Sequence, residues 1–156
     1  MTNRSNLNIE GCHDRQACKM LKRMRIQNFK GWRDTGAIRM APILLLFGVN
    51  SSGKSSIGQF LMMLKQTAES SDRKAVFYPG GKNSAVQLGS YQEMVFHRDP
   101  ENKIAFEYQW KLQERLTFKD PVSGQCFSGD ALSFLARVGL GDKDRHTLVL
   151  DQLKYE

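Results

Sequence analysis

No run of 18 or more apolar residues occurs, so nothing in the sequence is long enough to cross a bilayer as a helix. Met40 to Phe47 is apolar but far too short. Met1 to Glu10 is polar and lacks the apolar centre of a secretion signal. A cytoplasmic protein without membrane contact is the expectation. Cysteine is scarce as well: Cys12, Cys18 and Cys126 cannot build a disulfide framework. Cys12, His13 and Cys18 lie close together but match no zinc spacing, so free thiols in a reducing compartment are expected. His13, His97 and His146 fall in unrelated segments, which leaves a Cys or His nucleophile without a supporting constellation. Internal repeats and low-complexity tracts are absent.

What is present suits a folded domain. The chain has 156 residues, 40% hydrophobic and 25% charged. A chain of this size buries roughly 70% of its unfolded surface. The net charge of +7 is unevenly spread. Residues 1–40 hold nine Lys/Arg against three Asp/Glu; the remainder holds fourteen against thirteen. Arg15, Lys19, Lys22, Arg23, Arg25, Lys30, Arg33 and Arg39 therefore form either a face for DNA or a solvated tail and strand edge.

One stretch organises the rest. Ile43 to Phe47 reads as a buried strand, Gly48 to Ser55 as a loop, and the residues from Lys54 onward as a helix. The loop fits G-x-x-x-x-G-K-[ST] at Gly48, Gly53, Lys54 and Ser55, the phosphate-binding loop of nucleoside triphosphatases. A triphosphate needs closely spaced donors, and successive backbone N–H groups curled into a nest supply them. Gly48 and Gly53 allow the backbone to come close. The helix start adds free N–H groups and the positive end of its dipole. Lys54 is expected at the β- and γ-phosphates, and the Ser55 hydroxyl on Mg²⁺. Mg-ATP is thus expected on Gly48, Asn50, Ser51, Ser52, Gly53, Lys54, Ser55 and Ser56.

Taken in order, residues 1–20 read as a flexible polar tail and residues 21–156 as one lobe. Arg23 to Phe29 alternates as a half-buried strand, and Ala37 to Met40 is a second strand, paired antiparallel with it. Ile43 to Phe47 suits the centre of a mixed sheet covered on both faces. The helix runs to Ala68, with Gly58 inside it at a position that close packing would explain. Ala85 to Leu88 is a short strand, and Tyr91 to His97 one helical turn or two. Lys103 to Leu112 is a clear strand, and Leu116 to Lys119 its hairpin partner or extension. Ala131 to Val138 reads as a short helix and Thr147 to Leu153 as a last strand.

Met24 to Gln113 resembles the N-terminal part of a family of prokaryotic AAA-type ATPases. These are related to the cassette-type heads of chromosome-maintenance and recombination-repair ATPases and of overcoming-lysogenisation-defect nucleases. The likeness rests on the basic strand closing in Asn28-Phe29-Lys30-Gly31-Trp32, on Phe47 to Ser56 continuing as Leu61 to Thr67, and on Val86 to Tyr91 followed by Val95 and His97. The resemblance implies an α/β P-loop lobe with a β-hairpin edge. It also implies ATP sandwiched between two heads and closure coupled to DNA or to an effector protein. Gln92 would be a sensor of the γ-phosphate.

The family also implies a later apolar strand ending in Asp-Glu, which completes Mg²⁺ coordination and polarises water. Leu148-Val149-Leu150-Asp151-Gln152 is the only late run of that kind, with Gln where Glu is expected and no signature segment ahead of it. The expectation is a lobe lacking its hydrolytic half: a fragment, a truncated gene, or a chain completed by another. It should bind ATP and hydrolyse it only within a complete head or with a partner chain. The competing expectation is a non-enzymatic basic α/β module that binds DNA or a protein.

Overall fold

In a computed structural model, the structure describes residues 21–72, 74–119, 122–141 and 147–156. The N-terminal tail, with Arg15, Lys19, Cys12, His13 and Cys18, lies outside the described residues, as does His146.

Six strands and two short-range helical elements follow one another: β1 (Leu21–Phe29), β2 (Trp32–Asp34), β3 (Ile38–Arg39), α1 (Lys54–Glu69), α2 (Tyr91–Met94), β4 (Ile104–Lys119), β5 (Cys126–Leu140) and β6 (Leu148–Tyr155). A 3₁₀ turn at Phe96–Arg98 separates α2 from β4. The chain is a mixed α/β protein built on one sheet in the order β2-β1-β4-β5-β6, with β3 also on β1. Each of these strand pairings is antiparallel. No helix among the described residues is long and apolar enough to cross a membrane.

The core sits between one face of the sheet and α1. Alternation along β1 buries Met24 and Ile26, and register places Ile26 opposite Phe106 and Met24 opposite Tyr108 on β4. Ile57, Phe60 and Met63, spaced at three residues along α1, supply the other half. Phe60 is fully buried and meets Phe29 edge-on at 4.9 Å and Phe106 at 5.3 Å. Burying side chains of this size stabilises the fold by about 1.5–3 kcal/mol each.

Two polar devices tie the loops to this frame. Gln66 on α1 donates to the carbonyls of Tyr78 (2.8 Å) and Val86 (3.3 Å) and accepts from the Val86 N–H. The Tyr91 hydroxyl, at the start of α2, donates within reach of the carbonyls of Asn102 (2.7 Å) and Val138 (3.1 Å) and accepts from the Ile104 N–H. Burial pushes its pKa up, and the Ile104 bond opposes that shift. Ser90 and Glu93 form a reciprocal cap at the start of α2, and those bonds to Ser90 hold the Glu93 carboxyl below its ordinary range.

Several expectations need correction. Ile43 to Phe47 is not a central strand: it belongs to no strand, and Ile43, Leu45 and Phe47 are 79%, 69% and 87% exposed. The sheet is therefore antiparallel rather than mixed. The reason lies in β1, which is already paired on one edge by β4 and on the other by β2 and β3. Ala85 to Leu88 forms no strand. Ala131 to Val138 is not a helix but the middle of β5, paired with β4 from Lys111↔Ala131 to Ile104↔Val138. Leu116 to Lys119 extends β4 past an irregularity. Gly58 is exposed, with open space where a Cβ would stand, so close packing does not explain it.

Candidate phosphate-binding loop

The loop runs directly into the start of α1, which packs on the sheet. Gly53 is the residue before α1, with φ of 86°, and no side chain caps the helix start. Gly48 has φ of 147° and Ser51 of 63°. Left-handed geometry of this kind is costly for residues other than glycine, which accounts for two of the loop's positions. The Ser52 N–H turns back to the Val49 carbonyl at 3.3 Å and Ser56 N–H to the Gly53 carbonyl at 3.0 Å.

Lys54 folds over the loop. Its Nζ donates to the Gly48 carbonyl at 2.8 Å, to the Val49 carbonyl at 2.6 Å, and lies 3.4 Å from Ser52 Oγ. Asn50, Ser51, Ser52 and Ser55 are exposed, whereas Ser56 is 8% exposed and withdrawn toward the core. Seven of the eight residues named from the sequence therefore lie along one loop and the helix mouth, with Ser56 behind them. The donor set suits an anion: an ammonium, an uncapped helix start and hydroxyls. For a divalent cation the Ser55 hydroxyl is one oxygen. Among the described residues no group of three His, Cys, Asp or Glu is gathered to add to it.

The turn from β1 into β2 supports this region. Lys30 Nζ donates to Gln59 Oε1 at 2.8 Å, and its backbone N–H to the Met94 carbonyl at 2.6 Å. Partial burial lowers the Lys30 pKa, while the charge of Glu93 works against that. Trp32 Nε1 donates to the Gly53 carbonyl at 2.8 Å. Trp32 enters the sequence analysis only as the aromatic that closes the Asn28-Phe29-Lys30-Gly31-Trp32 segment of the resemblance, with no contact to the loop expected of it; in the structure it begins β2.

Other expected site residues lie apart from the loop. Gln92 is exposed on α2. Asp151 is on the edge strand β6, bound to Lys103 Nζ at 2.7 Å. His97 is exposed, its ring stacked on Phe96 at 4.0 Å. On the sheet face away from α1, Arg25 is held by Asp34 (2.5 Å) and approaches Glu107 (3.7 Å). Arg23 stands directly opposite Arg39 across β1 and β3. A cavity of about 350 Å³ opens there between Arg23, Arg25, Glu107, Ser133 and Lys154.

Compared with known protein families and with curated proteins, the chain matches none.

Proposed function

We propose that the chain binds Mg-ATP through Gly48 to Ser55, as the nucleotide-binding lobe of a cassette-type P-loop ATPase. One observation carries the reading: a glycine-flanked loop runs into a helix start that no side chain caps, with the Lys54 ammonium folded over it. Backbone N–H groups and Lys54 would hold the phosphates, Ser55 would give an oxygen to Mg²⁺, and the metal would offset phosphate charge. The apolar strand expected before the loop is not formed, so the support comes from the loop and the helix alone. A second ATPase head or an effector protein is the partner this reading implies.

Isothermal calorimetry on the parent and on Lys54→Ala tests it. Parent binding of Mg-ATP, weakened tenfold or more by the substitution, is the expected result, since a charge-assisted hydrogen bond contributes about 1.5–3 kcal/mol. Equal affinity in both proteins would sink the proposal.

A second reading, a basic surface for DNA, rests on Arg23 and Arg39. Like charges placed directly across a strand pair are unfavourable, and a bound polyanion would relieve them. Duplex binding that falls steeply with salt and is lost in Arg23→Ser with Arg39→Ser is the expected outcome. Binding untouched by the double substitution would remove this reading.

A further inference from the structure

Trp32 touches the loop at the peptide where it becomes helix. Its Nε1 donates to the Gly53 carbonyl at 2.8 Å. The contact is close enough that a Cβ on Gly53 would stand 2.7 Å from that nitrogen and 3.2–3.3 Å from two indole carbons. Trp32 itself is held from behind. It lies opposite Phe29 across β1 and β2, and Phe29 is fully buried against Phe60 of α1. Lys30 adds a second tether from the same turn to Gln59 on α1. The hairpin turn and the first turns of α1 are thus braced against each other at two points.

A peptide unit is planar, so the carbonyl of Gly53 and the N–H of Lys54 move as one body and point in opposite directions. Pinning the Gly53 oxygen therefore pins the first amide hydrogen of α1. The same carbonyl also accepts the Ser56 N–H at 3.0 Å, so the indole is one of two bonds that hold it. Glycine at φ of 86° adds little steric restraint of its own. A turned unit would aim a carbonyl where the helix start should offer a donor.

We propose that Trp32 is a positioning residue of the phosphate loop. Its indole N–H fixes the Gly53–Lys54 peptide plane so that the Lys54 N–H faces the anion, and its ring closes the side of the loop at Gly53. The ligand in this inference rests on the Mg-ATP reading; the clamp rests on geometry alone.

Trp32→Phe keeps an aromatic ring and deletes the N–H. Two measurements follow, chosen so that the clamp and the ligand can fail separately. The first is amide exchange in the ligand-free protein: the Ser56 N–H, bonded to the same Gly53 carbonyl at 3.0 Å, should exchange faster in Trp32→Phe, with β4 and β5 unaltered. The second is Mg-ATP affinity by calorimetry: a fall of about two- to ten-fold is expected from one neutral hydrogen bond. Unchanged exchange at Ser56 overturns the clamp. Parent binding with unchanged affinity in Trp32→Phe overturns its role toward the nucleotide. A parent that does not bind Mg-ATP overturns the nucleotide reading, and exchange then decides the clamp by itself.

Should Trp32→Phe fold poorly, the Trp110→Phe protein leaves Trp32 as the sole indole, since the chain has two tryptophans. Its N–H resonance should then be protected from solvent and should shift when Mg-ATP is added. An unprotected resonance that ignores the nucleotide would count against the proposal.

Discussion

Lys54 and Val49 are joined by a 2.6 Å hydrogen bond from the ammonium to the backbone carbonyl. The cation that would meet phosphate is held by the loop itself, so ligand binding must exchange carbonyl oxygens for phosphate oxygens. Affinity should then depend on the β- and γ-phosphates. ATP is expected to bind tenfold or more tighter than AMP, by calorimetry at fixed Mg²⁺, since a charge-assisted hydrogen bond contributes about 1.5–3 kcal/mol. Equal affinity for the two nucleotides would place recognition somewhere other than this loop.

Hydrolysis should be slow. Attack on the γ-phosphate needs an oriented water and acidic help on the metal side. Asp151, the acid on β6 picked out by the sequence, is paired with Lys103, the residue before β4. Steady-state phosphate release is expected below the order of 1 s⁻¹, the lower end of ordinary enzyme turnover. Faster release that Lys54→Ala abolishes would show a catalytic acid in play, and its loss in Asp151→Asn would identify that acid.

Gly58 offers a stability test. It lies within α1, exposed, and an added Cβ would meet nothing within 4 Å. Gly58→Ala should stabilise the protein by about 0.5–1 kcal/mol through helix propensity. A higher urea midpoint at unchanged slope is the expected signature. A lowered midpoint would mean that something packs on that face in solution.

Asp34 should resist protonation by acid. The Arg25 guanidinium is the largest cause of a carboxyl held well below its usual range; burial pushes the other way, and the Gly36 N–H and the Gln27 amide add to the lowering. The folded-state value lies under the unfolded one of about 3.9. The stabilisation is therefore complete above that pH and fades as pH falls toward the folded value. Carboxyl ¹³C titration should show Asp34 still ionised below the range of a free aspartate, and Arg25→Gln should return it upward. An ordinary titration of Asp34 in the parent would show that the Arg25 pair does not form.

The sequence made β1, β3, α1, the first half of β4 and β6 legible. Met24 and Ile26 alternate, and α1 is legible from Ile57, Leu61, Leu64 and Ala68 at helical spacing, although the apolar residues it buries most are Ile57, Phe60 and Met63. It misled where burial was inferred from apolarity alone. The run from Ile43 to Phe47 is apolar on both faces, which states a need for cover but names nothing to provide it. Ala131 to Val138 has Ala and Leu at helix-compatible positions, yet eight successive pairs with β4 override that preference. In the site, Gly48 to Ser55 was legible as a motif. The Trp32–Gly53 bond and the Tyr91 hydroxyl network were not, since a single aromatic carries no spacing signal.

The strand order has a consequence for assembly in time. β4, β5 and β6 are consecutive neighbours, joined by short connections, so their pairing closes only small loops. β1 meets β4 only after the chain between Phe29 and Ile104, which contains the glycine-flanked loop and α1, has been drawn together. Closure entropy grows with the length closed, so the three-strand meander should zip first and the loop with its helix should dock late. Pulse-labelled amides near Phe106 and Phe134 would then gain protection before those of Ile57 to Met63. A ligand of the loop would stabilise contacts made after the folding barrier: it would slow unfolding and leave the folding rate nearly alone.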